Sequence, residues 1–156
     1  MLKQLEQLSK SAEGRYATAE ELEFLQNYLP TVDLRISAYQ KLRDAEDEII
    51  DRLQEKMLQV KPGIFHTKSG DLRDVCRRDI KVILRNATAA MLIDDLDRLR
   101  EHILLWQRII IKAFKERHIA TMVHTTMPEI IEQFLTSEEF AILQPVLQLN
   151  QAILAD

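Results

Sequence analysis

An all-α fold is predicted for this chain, and two observations favour that class. Only three glycines and four prolines occur among the 156 residues. No segment sustains an alternation of apolar and polar residues, so both the turns and the strand pattern of a sheet are scarce. In addition, a Thr is followed three residues later by a Glu at three places, which is the spacing of a capping box at a helix start. The pairs are Thr18 with Glu21, Thr126 with Glu129 and Thr136 with Glu139.

Length and composition predict a single domain that covers residues 1–156. The capping pairs predict helices that begin near residues 19, 127 and 137. Residues 1–29 therefore read as two short helices, an N-terminal helical hairpin, and residues 31–156 as the body of the domain.

Charge and cysteine content narrow the function classes. The net charge of -4 argues against nucleic acid as a partner, because phosphate binding needs clustered Lys and Arg. One cysteine cannot form an internal disulfide, and the N-terminus lacks the apolar core of a signal peptide, so a cytoplasmic protein is expected. No stretch approaches the roughly 18 apolar residues that a membrane span needs, so membrane insertion is not expected.

Three long helices are predicted after the hairpin. Apolar residues at helical spacing indicate one helix that begins after Pro30 and ends at 61–63. Residues 64–71 are predicted to form a loop, and a second long helix is expected from about 72 to the acidic turn at 94–95.

The third long helix is predicted over 97–117. Its apolar residues cover more than one stripe, which favours a mostly buried helix. For Trp106 and for the isoleucine run at 109–111, we favour core packing over the alternative of a partner surface.

The only cysteine lies near the start of the second long helix. Cys76 and Asp79 are three residues apart and so share one face of that helix. Arg78 and Arg85 are expected to flank this face within reach of an anionic group. Taken alone, a lone helical Cys is most often a small core residue, and an Asp near a helix start most often interacts with the helix dipole.

The order of residues around the cysteine resembles a known motif. The pattern CxRDxxxxLRxxTxxM at 76–91 closely resembles the bilin-attachment helix of the phycobiliproteins, most of all that of allophycocyanin-type subunits. Further similarity lies in GRY at 14–16 and in NYLPTVDLRISA at 27–38. The resemblance extends over about residues 10–115.

The resemblance implies a globin-like helical domain preceded by a helical hairpin, without enzymatic activity. It also implies a linear tetrapyrrole (bilin) of the phycocyanobilin type, bound by a thioether to Cys76. Asp79 is expected to accept hydrogen bonds from pyrrole N–H groups, and Arg78 to pair with a propionate. Arg85 and His66 complete the expected binding residues, His66 standing about where some subunits of the family carry a methylated asparagine.

Two functions remain open at this point. One is a bilin-binding protein associated with light harvesting in the phycobilisome or with bilin supply. The other is a pigment-free accessory or regulatory protein that keeps the fold and acts through protein contacts. The four histidines lack the close spacing of a metal site, so no metal is expected.

Association through the N-terminal hairpin is also expected. The expected partner is a second copy or a phycobiliprotein subunit. Phycobilisome components or bilin-handling proteins are expected as further contacts. The expected location is the cytoplasm, at the cytoplasmic face of the thylakoid. An apolar stripe on the hairpin supports pairing, because a lone domain would leave it partly exposed. The stripe consists of Leu2, Leu5, Leu8, Leu22, Leu25 and Tyr28.

Overall fold

The computed structural model describes residues 1–67 and 70–155. Within these ranges the chain is built from α-helices and one short β-ribbon, which confirms the all-α prediction. None of the helices in the described ranges has the length and apolar character needed to cross a membrane. The helices are α1 Leu2–Ser11, α2 Ala19–Tyr28, α3 Val32–Asp44, α4 Glu46–Val60, α5 Arg73–Ile93, α6 Leu96–Leu99, α7 Leu105–Phe114, α8 Arg117–Glu132 and α9 Ser137–Leu154.

Helices α1 and α2 form the N-terminal segment and contain no buried residue. Thr18 caps α2 as predicted: the Glu21 N–H donates to its hydroxyl oxygen at 3.2 Å, and its own N–H donates to the Glu21 carboxylate at 2.9 Å. The Tyr28 hydroxyl donates to the Leu92 carbonyl at 2.7 Å and so fastens α2 to the end of α5. Apolar side chains such as Leu2 and Leu5 stay exposed.

The core lies between α3, α4, α5, α8 and α9. Side chains from these helices and from the segment after α4 interdigitate without contact with solvent, and each contributes roughly 1.5–3 kcal/mol through burial. The largest fully buried ones include Leu42, Leu53, Met57, Phe65, Ile131 and Leu143.

The predicted helix between Pro30 and residue 61 is two helices. The chain breaks at Ala45, whose φ of -97° and ψ of 6° end α3 and start α4. The first turn of α4 is acidic, and its carboxylates meet cations of α5: Glu46 lies 2.6 Å from Arg85 and Asp47 lies 2.7 Å from Lys81. These ion pairs hold the start of α4 against α5. They join residues far apart in the chain, so the spacing of apolar residues does not predict them.

The predicted loop at 64–71 contains a short antiparallel ribbon, so the prediction was wrong for the strand residues, and positions 68 and 69 of that loop lie outside the described residues. Strands β1 His66–Thr67 and β2 Gly70–Asp71 pair with His66 opposite Asp71. Gly70 has a φ of 120°, a backbone conformation that side chains disfavour and glycine adopts freely.

The predicted third helix is interrupted, and it is not mostly buried. A π-helical turn at Arg100–Leu104 separates α6 from α7. Such a turn holds one residue more than an α-helical turn and rotates the residues beyond it by about 100°. Leu104 and Ile111 are buried, but Trp106 is 60% exposed and Ile109 61% exposed. The preference for core packing of these two side chains was therefore wrong.

The two C-terminal capping predictions have different outcomes. Thr136 caps α9 through both hydrogen bonds of the box, as predicted. Thr126 lies inside α8, which begins at Arg117. A cap requires the unpaired N–H groups of a helix start, and a helix interior has none. Glu129 instead forms an ion pair with Lys56 at 3.0 Å.

Candidate ligand-binding site

A cavity opens between α5, α7 and α8. The space accessible to the centre of a water molecule is about 50 Å³, and its walls are mostly apolar side chains of these helices. Five polar or ionisable side chains interrupt the apolar lining. They are Cys76, Asp79, Gln107, Glu116 and His124.

Cys76 reaches this cavity from the first turn of α5 and is partly buried. Burial raises the pKa of its thiol to about 12, and the nearby carboxylates of Asp79 and Glu116 add to the shift. The thiolate is the nucleophilic form of cysteine. Cys76 is therefore protonated at neutral pH and is not activated by its surroundings.

Asp79 lies one turn after Cys76 at the edge of the cavity. Arg78 donates to the Asp79 carboxylate through Nε at 3.1 Å, and its Nη2 lies 3.0 Å from the same oxygen. The Arg78 side chain is largely exposed, and an exposed ion pair of this kind contributes little to stability. Both groups can thus exchange their mutual contact for contacts to a ligand.

Arg85 does not flank this face, which corrects the expected geometry. It lies nine residues after Cys76, about two and a half helical turns, and so points to the opposite side of α5. Its guanidinium donates twice to the Glu46 carboxylate, at 2.6 and 2.7 Å. Arg85 borders a different cavity, together with Tyr39 and Glu46.

His66 lies on β1 and is exposed, with its Nε2 at 3.8 Å from the Asp71 carboxylate. It does not line the Cys76 cavity. The structure thus brings together Cys76, Arg78 and Asp79 and leaves Arg85 and His66 apart from them. Any role of the latter two towards a pigment stays a prediction.

Two residues that line this cavity were not predicted from the sequence. They are Glu116, which precedes α8, and His124 within α8. Burial raises the pKa of the Glu116 carboxyl, and the charge of Asp79 adds to that effect. Burial lowers the pKa of His124 to about 4, so its imidazole is neutral at physiological pH. His124 lies among apolar positions of α8, between Val123 and Met127, and this spacing indicates a buried histidine. The wrong prediction of a helix start near 127 divided α8 and so concealed the spacing.

The chemistry of the cavity suits a flat, mainly apolar molecule that carries N–H groups. Its walls are mostly apolar, a carboxylate can accept hydrogen bonds, and a neutral imidazole lies inside. In residues 1–67 and 70–155, no three His, Cys, Asp or Glu side chains are grouped so as to hold a metal ion.

Comparison with known proteins defines the family. The model of the family described as phycobilisome protein matches residues 8–153, and the chain belongs to this family. This confirms the resemblance to the phycobiliproteins that the sequence at 76–91 indicated, and with it the globin-like all-α fold.

Individual relatives match a shorter region. The chain is 33% identical over 87 residues to the allophycocyanin alpha-B chain of Cyanidium caldarium, which is 53% of either chain. It is 35% identical over 89 residues to the allophycocyanin alpha-B chain of Porphyra purpurea, covering 54% of this chain and 55% of the relative. The chain thus spans about half the length of the curated relatives it matches.

Proposed function

We propose that the protein binds a bilin of the phycocyanobilin type and holds it by a thioether at Cys76. The observation that carries this proposal is the position of Cys76, which lines a cavity together with Asp79 on one face of α5. Membership in the phycobilisome protein family supports the pigment class. The protein then serves light harvesting in the phycobilisome or the supply of bilin to it.

The residues present fit one end of such a pigment. The space accessible to the centre of a water molecule is only about 50 Å³, so the cavity encloses a part of such a pigment and not the whole. Asp79 lines the cavity and its ion-pair partner Arg78 is largely exposed, so the two can meet the remainder of a larger molecule.

Each residue has a distinct part in binding. A bound bilin supplies absorption of visible light. The Asp79 carboxylate accepts hydrogen bonds from pyrrole N–H groups, and the Arg78 guanidinium pairs with a propionate. The apolar walls keep water from the enclosed ring. These are binding roles, and we propose no enzymatic turnover.

Attachment depends on removal of the thiol proton from Cys76. Addition of a thiol across a carbon–carbon double bond forms the C–S bond and transfers the proton to carbon, so no oxidant is needed. Because the pKa of Cys76 is raised to about 12, the reactive thiolate is scarce at neutral pH. We therefore expect attachment to be slow without a lyase.

The test is coexpression with bilin-synthesis enzymes, with and without a bilin lyase. Zinc-stained denaturing gels report covalent pigment, and absorbance spectra report its state. The wild type should keep pigment under denaturation and Cys76→Ala should lose it. Asp79→Asn serves as the matched variant, which should keep the covalent pigment but change its absorption. A colourless wild type with every lyase would contradict the proposal.

A pigment-free accessory or regulatory role is the second candidate. It is favoured by the small cavity, by the unreactive thiol and by the exposed apolar residues Trp106, Ile109 and Phe114 on α7. Under this alternative the protein acts through contacts with phycobilisome components or bilin-handling proteins.

Under either function we propose pairing through α1 and α2, whose apolar residues are left unburied. The partner is a second copy or a phycobiliprotein subunit, in the cytoplasm at the thylakoid face. Sedimentation as a monomer at high concentration, together with capture of no phycobilisome component, would show the pairing proposal to be wrong.

A further inference from the structure

His124 is the most deeply buried polar side chain of the Cys76 cavity, with 4% of its surface exposed. The hydrogen bonds among the described residues include none to its imidazole. Its nitrogens are also not among the fully enclosed unpaired atoms of those residues, so they are open to the cavity. Buried polar groups in folded proteins nearly always have partners. An imidazole that faces a cavity without a partner from the chain is available to a group that enters from outside.

The form of the imidazole limits what that group can be. At neutral pH His124 is uncharged, because burial lowers its pKa to about 4. A neutral imidazole presents one N–H donor and one nitrogen acceptor. It suits a ring that carries both an N–H and a carbonyl oxygen, and a lactam ring at the end of a linear tetrapyrrole has both groups. It offers no charge to a propionate.

Cys76 and His124 face the same small space from two helices. Cys76 comes from α5 and His124 from α8, and the cavity that both residues line is small. A ring attached to Cys76 therefore enters the space that His124 also lines.

We propose that His124 is a binding residue that hydrogen-bonds the terminal lactam ring held at Cys76. This inference rests on the proposed bilin function and adds the second anchor of that site. One ring is thus held covalently from α5 and by a hydrogen bond from α8, which restricts its rotation.

Non-covalent binding tests this without the attachment step. Free phycocyanobilin is titrated into the purified full-length protein carrying Cys76→Ser, and binding is followed by the change in pigment absorbance. Adding His124→Leu should raise the dissociation constant about tenfold, the effect of one lost buried hydrogen bond. Adding His124→Gln, which keeps a donor and an acceptor, should restore most of the affinity. The matched control His118→Gln alters an exposed histidine of the same helix and should change nothing.

The nitrogen chemical shifts of the histidine side chains, measured by NMR, report direct contact with the pigment. A purely structural role of His124 would leave its shift unchanged on binding. The His124 signal should shift when phycocyanobilin is added, and the His118 signal should stay in place. Thermal melts of the free variants should show His124→Leu at or above the wild type, so that weaker binding is not a sign of unfolding. Should His124→Leu melt lower than the wild type, its affinity is set aside. The affinity of His124→Gln and the shift of the wild-type His124 signal on binding then test the hydrogen bond.

The outcomes separate the two proposals. Equal affinity of the Cys76→Ser protein with and without the added His124→Leu substitution, or an unshifted His124 signal on binding, overturns the role of His124 and leaves the bilin function standing. Absence of any bilin binding, covalent or not, by every form of the protein overturns the bilin function itself and this inference with it.

Discussion

Two buried polar side chains of this protein have opposite surroundings. Glu139 at the start of α9 is 2% exposed and has a full set of partners. It accepts hydrogen bonds from Lys41 at 2.8 Å, from Ser37 at 2.7 Å and from the Thr136 N–H at 2.7 Å. His124 on α8 is 4% exposed, and the described residues supply it with no hydrogen bond.

The difference separates a group that serves the fold from one that, by the proposal above, binds a ligand. Burial opposes the ionisation of Glu139, but the hydrogen bonds from Lys41, Thr136 and Ser37 outweigh it and lower its pKa to about 2. That cluster ties α3 to α9. At His124, burial acts without compensation and lowers the pKa to about 4. A buried polar group that lines a cavity and has no partner in the chain is a candidate for ligand binding.

The largest expected effect is a loss of stability in acid caused by His124. Between about pH 6.5 and 4, the unfolded protein takes up a proton on this residue and the folded protein does not. Stability is therefore complete above pH 6.5 and falls with decreasing pH, by about 3 kcal/mol in total. Urea unfolding of the wild type and of His124→Gln at several pH values measures this term as a difference. The raised pKa of Glu116 acts with the opposite sign, but it is common to both proteins.

Parallel pH profiles of the wild type and His124→Gln would show that His124 does not resist protonation in the folded state. The comparison with Glu139 would then lose its basis.

Substitution of Glu139 should have the next largest effect. Glu139→Gln removes the charge that Lys41 and Ser37 bind and should lower the free energy of unfolding by about 2 kcal/mol at pH 7. The matched control Glu138→Gln alters an exposed neighbour and should stay within about 0.5 kcal/mol. Because the pKa of Glu139 is lowered when folded, its contribution is present above pH 4.5 and is lost as the pH falls towards about 2. Equal effects of the two substitutions would show that the contacts of Glu139 do not stabilise the fold.

A smaller effect is expected at the cap of the same helix. Thr136→Ala should cost about 1 kcal/mol, because the Glu139 N–H loses the acceptor that it has at 3.2 Å. Thr126→Ala is the control at the same sequence motif inside α8 and should stay within about 0.5 kcal/mol. Chemical unfolding of both variants measures the difference, and a comparable loss at Thr126 would contradict the assignment of α8.

The smallest effect is a gain. His124→Leu replaces an unpaired polar group with an apolar one and should raise the free energy of unfolding at pH 7 by up to about 1 kcal/mol. Thermal and urea unfolding of the free protein check this value. A clear loss of stability would mean that the chain itself satisfies His124, in the manner of Glu139.

Local signals in the sequence were sufficient for much of the fold. The scarcity of Gly and Pro and the regular apolar spacing predicted the all-α class, and the boxes at Thr18 and Thr136 predicted two helix starts correctly. These features depend on residues within one or two turns of each other. The break at Ala45 and the π-helical turn at Arg100–Leu104 were not predicted, because neither is marked by a local signal of this kind.

The candidate site divides in the same way. The sequence by itself determined that Cys76 and Asp79 share a face of α5, because a spacing of three residues decides this within one helix. Only the tertiary structure decided that Arg85 turns to Glu46, 39 residues away in the chain, and that His124 lines the same cavity as Cys76. Helical periodicity specifies which side a residue faces, whereas the partner it meets there depends on how the helices pack.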